Sequence, residues 1–570
     1  MEYLEFIDLV AKTFEENKVT VFFGAGISRN SGVPLVDEIK KEILTHLCKE
    51  KVEITNLLND KIPFELFMQT LIEYSDSEKL LELFELGEPN ANHYFLAKLA
   101  KKGKLNCVVT TNFDTLLEKA FDIEGITYKV FHTEESFENI ENKKDSVSII
   151  KIHGSIENRL QMAVTLKRVA GKRLFSARKK VIADVMQNNS GGHLLVLGYS
   201  CSDYFDINPI IEDVKDRNKI LFVQHSRLGD QTLAISPISE MSGNNPFKKY
   251  DGNFLNVNTD YFVKDFSFHF LKETIRYDTI KKPEWKKIID DWISDICLKK
   301  GKLVMGYIAG QIFNVCARYG AAINYFNNTL AQAIAIDNNE YKINALYSLG
   351  RCYRDTQANN KGFQKALRYL YMAYNNSRKH KVLKKQCFCM LSMGVTYEDK
   401  KQHYVAIKFY ESALKIANYL NEKDISAICL GNLGIVMKNL GEEMVATSNY
   451  LFQKAIRYHE RAIKLSIETG DKASEGRTYG NIGIVYSCMG ITDKIIEYYD
   501  KAFKIAEDLS DFRHMGIWAF NKGYDLRKVD IIYAKAEIEK AKKIFQTIEP
   551  PLENYIAICD KEISDIDKVT

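Results

Sequence analysis

Several things are scarce in this 570-residue chain, and each scarcity excludes something. Only 9 prolines occur, too few for a proline-rich linker or scaffold, and in keeping with a mostly helical chain. No run of 18 apolar residues occurs, so no membrane-spanning helix is expected. The first residues, Met1-Glu2-Tyr3-Leu4-Glu5, are acidic and lack the apolar core of a signal peptide. Neither sign of charge is in excess: 79 basic against 75 acidic residues leave +4. That balance argues against nucleic acid or membrane as the main partner. The 11 cysteines are scattered and odd in number, with no disulfide framework. They point to a reducing cytoplasm. Cys387-Phe388-Cys389, the one close pair, reads as two reduced thiols on an apolar helix.

What is present divides the chain in two. At 570 residues more than one domain is expected. Near the start, Val19 to Phe23 is a short run of β-formers that enters Gly24-Ala25-Gly26-Ile27-Ser28. A strand, a glycine turn and a helix N-terminus make a place for an anion, because glycine lets amide N–H groups face a phosphate. The third glycine of the dinucleotide fingerprint is missing, since position 29 is Arg29. The same residues also make a plain turn.

Further strands follow at Asn106–Asp114, which ends in polar residues, and at Thr127–Phe131, Ser146–Ile152, His193–Leu197 and Lys219–Gln224, alternating with helical stretches. This order predicts a Rossmann-like, doubly wound, mostly parallel sheet. An amphipathic helix with Leu4, Ile7, Ala11 and Phe14 precedes it, and another with Ile39, Ile43 and Leu47 follows Pro34. Residues 35–104 are expected as a helical insertion or cap. Phe113 to Phe121 reads as a helix, and 230–300 as a loop-rich transition with helices at Phe268–Ile280 and Trp285–Lys299.

Small or polar residues close four of the strands: Thr111-Asn112-Phe113-Asp114, His153-Gly154-Ser155, Gly198-Tyr199-Ser200 and His225-Ser226. Ligands of open α/β sheets bind at such carboxyl ends. Each also has a plain reading. Asn112 or Asp114 can cap a helix, His153 can be a structural histidine, and Gly198 can serve a turn.

The order Gly24-Ala25-Gly26-Ile27-Ser28, Ser31-Gly32-Val33-Pro34, Thr111-Asn112-Phe113-Asp114, His153-Gly154, Gly198-Tyr199-Ser200 resembles the sirtuin NAD-binding fold over roughly 1–275. The resemblance implies that Gly24, Ala25 and Gly26 contact the dinucleotide phosphates and ribose, with Ser28, Pro34 and Thr111 in the same pocket. It implies that Asn112 positions a water or the nicotinamide ribose, Asp114 holds the carboxamide, and His153 acts as base. Gly198 and Ser200 would meet the adenine-side ribose or phosphate.

The departures redirect this reading. Deacetylase sirtuins hold a zinc with two C-x-x-C pairs between the last two motifs. Here no cysteine lies between His153 and Gly198, so a thiolate zinc site is not expected there. Leu35-Val36-Asp37-Glu38 also stands where a Phe-Arg pair is usual. The pattern resembles the sirtuin-like domains of bacterial antiphage proteins, which hydrolyse NAD. The implied activity is an NAD+ glycohydrolase with NAD as substrate and water as nucleophile. The alternatives are a scaffold that binds NAD or an ADP-ribose-type nucleotide without turnover, and a zinc-free deacylase or ADP-ribosyltransferase.

Beyond residue 303 the chain repeats. Gly350, Gly394, Gly434, Gly483 and Gly523 recur 44, 40, 49 and 40 positions apart. Ala406 and Ala413 follow Gly394 by twelve and nineteen positions, and Ile495 and Ala502 follow Gly483 likewise. After Gly434 the alanines, Ala455 and Ala462, come nine positions late, which predicts an insertion near Glu442–Tyr450. This resembles tetratricopeptide repeats, an all-α solenoid. The expected domains are 1–275 (sirtuin-like), 276–302 (helical linker) and 303–570 (repeats). Expected partners are NAD, further copies of the chain and, through the repeats, a phage protein activator.

Overall fold

The computed structural model describes residues 3–59, 62–75, 78–140, 146–162, 176–187, 193–201, 207–226, 232–241, 245–273, 275, 284–356, 360–509, 511–547 and 552–568. The chain forms two compact units, Met1–Lys302 and Leu303–Thr570.

The first unit is built on one sheet. Its strands are β1 (Val19–Phe23), β2 (Leu105–Thr110), β3 (Tyr128–Phe131), β4 (Val147–Lys151), β5 (His193–Leu197), β6 (Lys219–His225), β7 (Thr232–Pro237) and β8 (Gly252–Val257). They lie in the order β3-β4-β2-β1-β5-β6-β8-β7. All neighbours are parallel except β7 on β8. From β1 the chain first builds outward through β2 and β4, then returns to β5 on the other side. That reversal puts the switch point of the sheet, where ligands of open α/β sheets bind, at the carboxyl ends of β1 and β5.

The core explains why these runs are strands. Val21, Phe23, Leu195, Leu197, Leu221 and Val223 face one apolar cluster. The residues between them, Phe22, Leu194, Val196, Ile220 and Phe222, face the other. Both faces of a parallel sheet are covered, so the strands read as unbroken apolar runs. Helix α1 (Tyr3–Glu16) buries Phe6, Ile7, Val10 and Phe14 at helical spacing against the first face. Each fully buried Phe of this kind is worth about 1.5–3 kcal/mol.

The region after Pro34 contains α2 (Val36–Leu47), α3 (Lys51–Asn59), α4 (Phe64–Tyr74), α5 (Glu78–Leu81) and α6 (Ala91–Lys101). The expected cap over 35–104 is only partly a cap. Helix α6 buries Phe95, Leu96 and Leu99 in the same cluster as α1, so it is a covering helix of the sheet itself. Next come α7 (Leu116–Glu124), α8 (Glu134–Glu138), α9 (Ser176–Met186), α10 (Ile207–Asp213), α11 (Thr259–Phe266) and α12 (Trp285–Lys300). Helix α7 starts three residues later than the pattern suggested, because Phe113-Asp114-Thr115 form the turn that carries the site.

Two further expectations change. The transition holds two strands, β7 and β8, at the edge of the sheet. Thr232–Pro237 is a short edge strand ending in proline, and β8 is only half buried, so neither shows a strong apolar run. The helix expected at Phe268–Ile280 is a π-turn over Ser267–Leu271 that continues α11. Its remainder falls mainly outside the described residues. Helix α12, expected in a separate linker, buries Ile289 and Trp292 and packs on α2 and α5 within the first unit.

Among the described residues the second unit is helical throughout: α13 (Leu303–Val315), α14 (Tyr319–Ala335), α15 (Asn339–Thr356), α16 (Asn360–Lys379), α17 (Leu383–Asp399), α18 (His403–Tyr419), α19 (Lys423–Glu443), α20 (Ser448–Thr469), α21 (Lys472–Met489), α22 (Thr492–Asp508), α23 (Phe512–Leu526), α24 (Ile531–Thr547) and α25 (Glu553–Asp567). Consecutive helices pack against each other. The recurring glycines have a steric reason. A Cβ on Gly310 would meet the Phe326 ring at 2.6 Å, on Gly394 the Tyr410 ring at 2.5 Å, and on Gly483 the Tyr499 ring at 2.9 Å. The ring follows its glycine by sixteen positions in each case. After Gly434 the partner is His459, twenty-five positions on, so the nine-residue insertion displaces the partner with it. The insertion lengthens α19 and adds a 3-10 turn at Val445–Thr447.

Among the described residues no helix is long and apolar enough to cross a membrane. All eleven cysteines are free thiols.

Candidate active site

The ends of β1 and β5 are fastened together through glycine. The Gly24 amide donates to the Leu197 carbonyl at 3.2 Å, and the Gly26 amide to the Gly198 carbonyl at 3.0 Å. Gly198 has φ +58°, and a Cβ on Gly26 would lie 2.6 Å from the Gly198 oxygen. Both glycine amides are thus engaged by the end of β5. Ala25, between them, is exposed. The chain then runs into a 3-10 turn over Ala25–Ser31 rather than an α-helix, and α2 begins only after the buried Pro34. A short 3-10 turn supplies little of the helix dipole.

Ser28, on that turn, stands at the centre of a buried polar cluster. Its Oγ lies 3.1 Å from Asp114 Oδ2, 3.0 Å from Asn112 Nδ2 and 3.3 Å from His93 Nε2. Asn112 Nδ2 also donates to Asp114 Oδ2 at 3.2 Å. The four side chains are between 0% and 6% exposed. Burial presses the His93 imidazole down to about 4, against the pull of Asp114 and Asp260, so it is neutral near pH 7. Asp114 Oδ1 accepts from the Leu116 amide at 3.1 Å. The capping role open to Asp114 is therefore real, and it shares the residue with the site. Asn112 Oδ1 is buried and has no hydrogen-bond partner. A lone buried acceptor costs about 1–3 kcal/mol, so it marks a place where a donor from a ligand or water would be welcome.

His153 follows β4 and is buried, with its ring stacked on Phe113 at 6.0 Å and 29°. Phe113 in turn packs on Phe84 at 5.1 Å. Below them Lys151 is fully buried. Its Nζ donates to the Asp114 carbonyl at 2.5 Å, Glu118 Oε1 at 2.7 Å and Ser155 Oγ at 3.1 Å. One ammonium thus braces the end of β4 to the turn that carries Asn112 and Asp114. Burial raises the Glu118 carboxyl, and Lys151 works against that rise.

The structure therefore joins Ser28, Asn112 and Asp114 in one hydrogen-bonded group, and Gly24, Gly26 and Gly198 in another. Thr111 is half-buried at the end of β2, its amide donating to the Phe23 carbonyl at 3.4 Å. Ser200 is exposed beyond β5, next to Tyr199, whose hydroxyl donates to Asn208 at 2.9 Å. His93, Lys151 and Glu118 were missed by the sequence reading. The only available signal for His93 was the polar run Asn90-Ala91-Asn92-His93 opening a helix. There Asn90 caps α6 by accepting from the Asn92 and His93 amides.

A second polar group lies beside the glycine turn. Arg29 Nη1 approaches His225 Nε2 at 3.3 Å, and His225 Nδ1 approaches Thr259 Oγ1 at 2.8 Å. Asp260 accepts from Asn92 Nδ2 at 2.7 Å and from Asn30. Among the described residues no group of three or more His, Cys, Asp or Glu side chains could hold a metal ion.

A mostly parallel sheet with helices on both faces and polar residues at the carboxyl ends around its reversal point defines a Rossmann-like α/β domain. Residues 24–144 match the model of the Sir2 family, and 106–237 that of the SIR2-like domain. Residues 451–508 match the tetratricopeptide repeat. The chain carries a SIR2-like domain followed by tetratricopeptide repeats. It is similar to an NAD(+) hydrolase ThsA of Acinetobacter baumannii, 29% identical over 231 residues, covering 39% of this chain and 43% of that protein. An NAD-dependent protein deacetylase of Clostridium perfringens is 32% identical over 114 residues, covering 19% and 45%. Defense-associated sirtuin 2 of Bacillus subtilis is 24% identical over 225 residues, covering 38% and 21%. The matched stretches span less than half the length of these relatives.

Proposed function

We propose that this protein is an NAD+ glycohydrolase of bacterial antiphage defence. Water attacks C1′ of the nicotinamide ribose, the C1′–N bond breaks, and the products are nicotinamide, ADP-ribose and a proton. The observation that carries this reading is the lone buried acceptor Asn112 Oδ1. It sits in a cluster with Ser28 and Asp114 and has no hydrogen-bond partner among the described residues. Such an acceptor can orient a water or a ribose hydroxyl, though an amide cannot itself take the proton. His153 is the base that does. Asp114 holds the nicotinamide carboxamide, and Gly198, Ser200 and the exposed Ala25 border the remainder of the dinucleotide.

The ThsA and defence-sirtuin relatives support the hydrolase and its setting, each under its own name. The similarity to deacetylases keeps acyl-lysine in view as an acceptor. Against it stands the absence of cysteine between His153 and Gly198. The repeats hold the enzyme in check, assemble copies of it and receive a phage protein, all in the cytoplasm.

The test follows free nicotinamide from NAD+ incubated with the full-length protein, with and without an acetyl-lysine peptide. A parallel arm measures NAD in phage-challenged cells expressing wild type or Asn112→Ala. Peptide-independent release, and NAD depletion only with the wild type, are expected. Release that requires the peptide points to a deacylase. Binding of NAD+ without release under phage challenge overturns the enzyme in favour of a nucleotide-binding scaffold.

A further inference from the structure

The occupied glycine amides leave a question of charge. A dinucleotide brings a pyrophosphate to the crevice, and Gly24 and Gly26 have no N–H left to offer it. At the same edge stands a cation. Arg29 forms no ion pair among the described residues, and its one side-chain bond goes to His225 Nε2. A guanidinium has only donors, so Nε2 presents its lone pair to Arg29, while Nδ1 lies 2.8 Å from Thr259 Oγ1 and 3.4 Å from the Thr259 amide nitrogen. Burial and the neighbouring Arg29 both hold His225 below its ordinary range, so the ring is a neutral acceptor near pH 7. It positions the guanidinium without neutralising it. The carboxylate in this group, Asp260, is bonded to Asn92 and Asn30.

Among the described residues only Nη1 of the guanidinium is engaged, by His225, which leaves its other N–H donors for a ligand.

We infer that Arg29, oriented by His225, is the phosphate anchor of the bound dinucleotide. A side-chain cation takes the place of the glycine amides. This rests on the nucleotide reading above. Two phosphates share the required chemistry, the pyrophosphate bridge and the 2′-phosphate of NADP+, and the test separates them.

Binding is measured by titration calorimetry on the full-length protein with ADP-ribose, NAD+, NADP+ and adenosine. Arg29→Gln should weaken the phosphate-bearing ligands about 10-fold to 100-fold, the range for a hydrogen bond to a charged group. Arg29→Lys should recover part of the loss, and adenosine affinity should not change, which also shows that the variant is folded. Equal losses for NAD+ and NADP+ identify the pyrophosphate, and a loss confined to NADP+ identifies the 2′-phosphate. Unchanged affinity for all three phosphate ligands, or an equal loss for adenosine, overturns the inference alone. A wild-type protein that binds none of the nucleotides overturns the nucleotide reading and this inference with it.

Discussion

Gly26 and Gly198 touch backbone to backbone: one amide donates to the other's carbonyl at 3.0 Å, where a single Cβ would collide at 2.6 Å. This contact joins β1 to β5 across the point where the sheet reverses its order. Gly26→Ala should therefore destabilise the first unit by about 2 kcal/mol or more, as overpacking against backbone does. Gly198→Ala should do the same, because φ +58° also disfavours a side chain. Thermal unfolding followed by circular dichroism measures both. Melting curves equal to wild type would mean the strand ends separate at no cost.

The cluster around Ser28 makes a graded prediction for activity. Asn112→Ala should lower nicotinamide release about 100-fold or more, since it removes the buried acceptor that orients the nucleophile or ribose. Ser28→Ala should cost less, roughly 10-fold, because Asn112 Nδ2 still reaches Asp114 at 3.2 Å. Initial rates at saturating NAD+ decide the ranking. A Ser28 variant weaker than the Asn112 variant would shift the central role to the serine.

Lys151 and Glu118 form a buried ion pair at 2.7 Å. Lys151→Ala should cost about 3–5 kcal/mol, because a buried carboxylate is left without its cation. Lys151→Met combined with Glu118→Leu should recover most of this, since neither charge then remains. Urea denaturation of the two variants tests it, and additive losses in the double variant would contradict it.

Acid should loosen both units through two buried histidines. Burial alone lowers His459 to about 4, and burial dominates the similar lowering of His93. A group with a lowered folded pKa binds fewer protons when folded than when unfolded. Stability is therefore complete above about 6.5 and falls as pH drops toward 4, by about 3 kcal/mol per histidine. His459→Gln should flatten the pH dependence of melting between pH 7 and 4.5. An unchanged slope would assign the acid sensitivity elsewhere.

In the repeats, Gly394 admits the Tyr410 ring between α17 and α18. Gly394→Ala should push that ring out and lower local protection by about 1–3 kcal/mol. Hydrogen exchange read by mass spectrometry should show the loss in these two helices first.

Much of this architecture could be read along the chain. Val19–Phe23 and His193–Leu197 are unbroken apolar runs because both faces of a parallel sheet are buried. The solenoid was legible because each helix pair needs a small residue at the same offset, and even the insertion after Gly434 could be counted. The order Asn112, Asp114, His153 and Gly198 marked the carboxyl ends of strands β2, β4 and β5, where the candidate site lies. Such features are local, and periodicity and spacing record them directly.

Tertiary structure decided the rest. Gly24 and Gly26 belong to an anion cradle by sequence, but pairing with Leu197 and Gly198 spends their amides on the sheet. Ser28 and His93 are 65 positions apart, and their meeting depends on how α6 packs against β2 and the turn over Ala25–Ser31. The contacts of Arg29 with His225, and of Lys151 with Glu118, have the same origin. A sequence states which donors, acceptors and charges exist. Only the packed chain determines which are used within the protein and which, like Asn112 Oδ1, stay unpaired among the described residues.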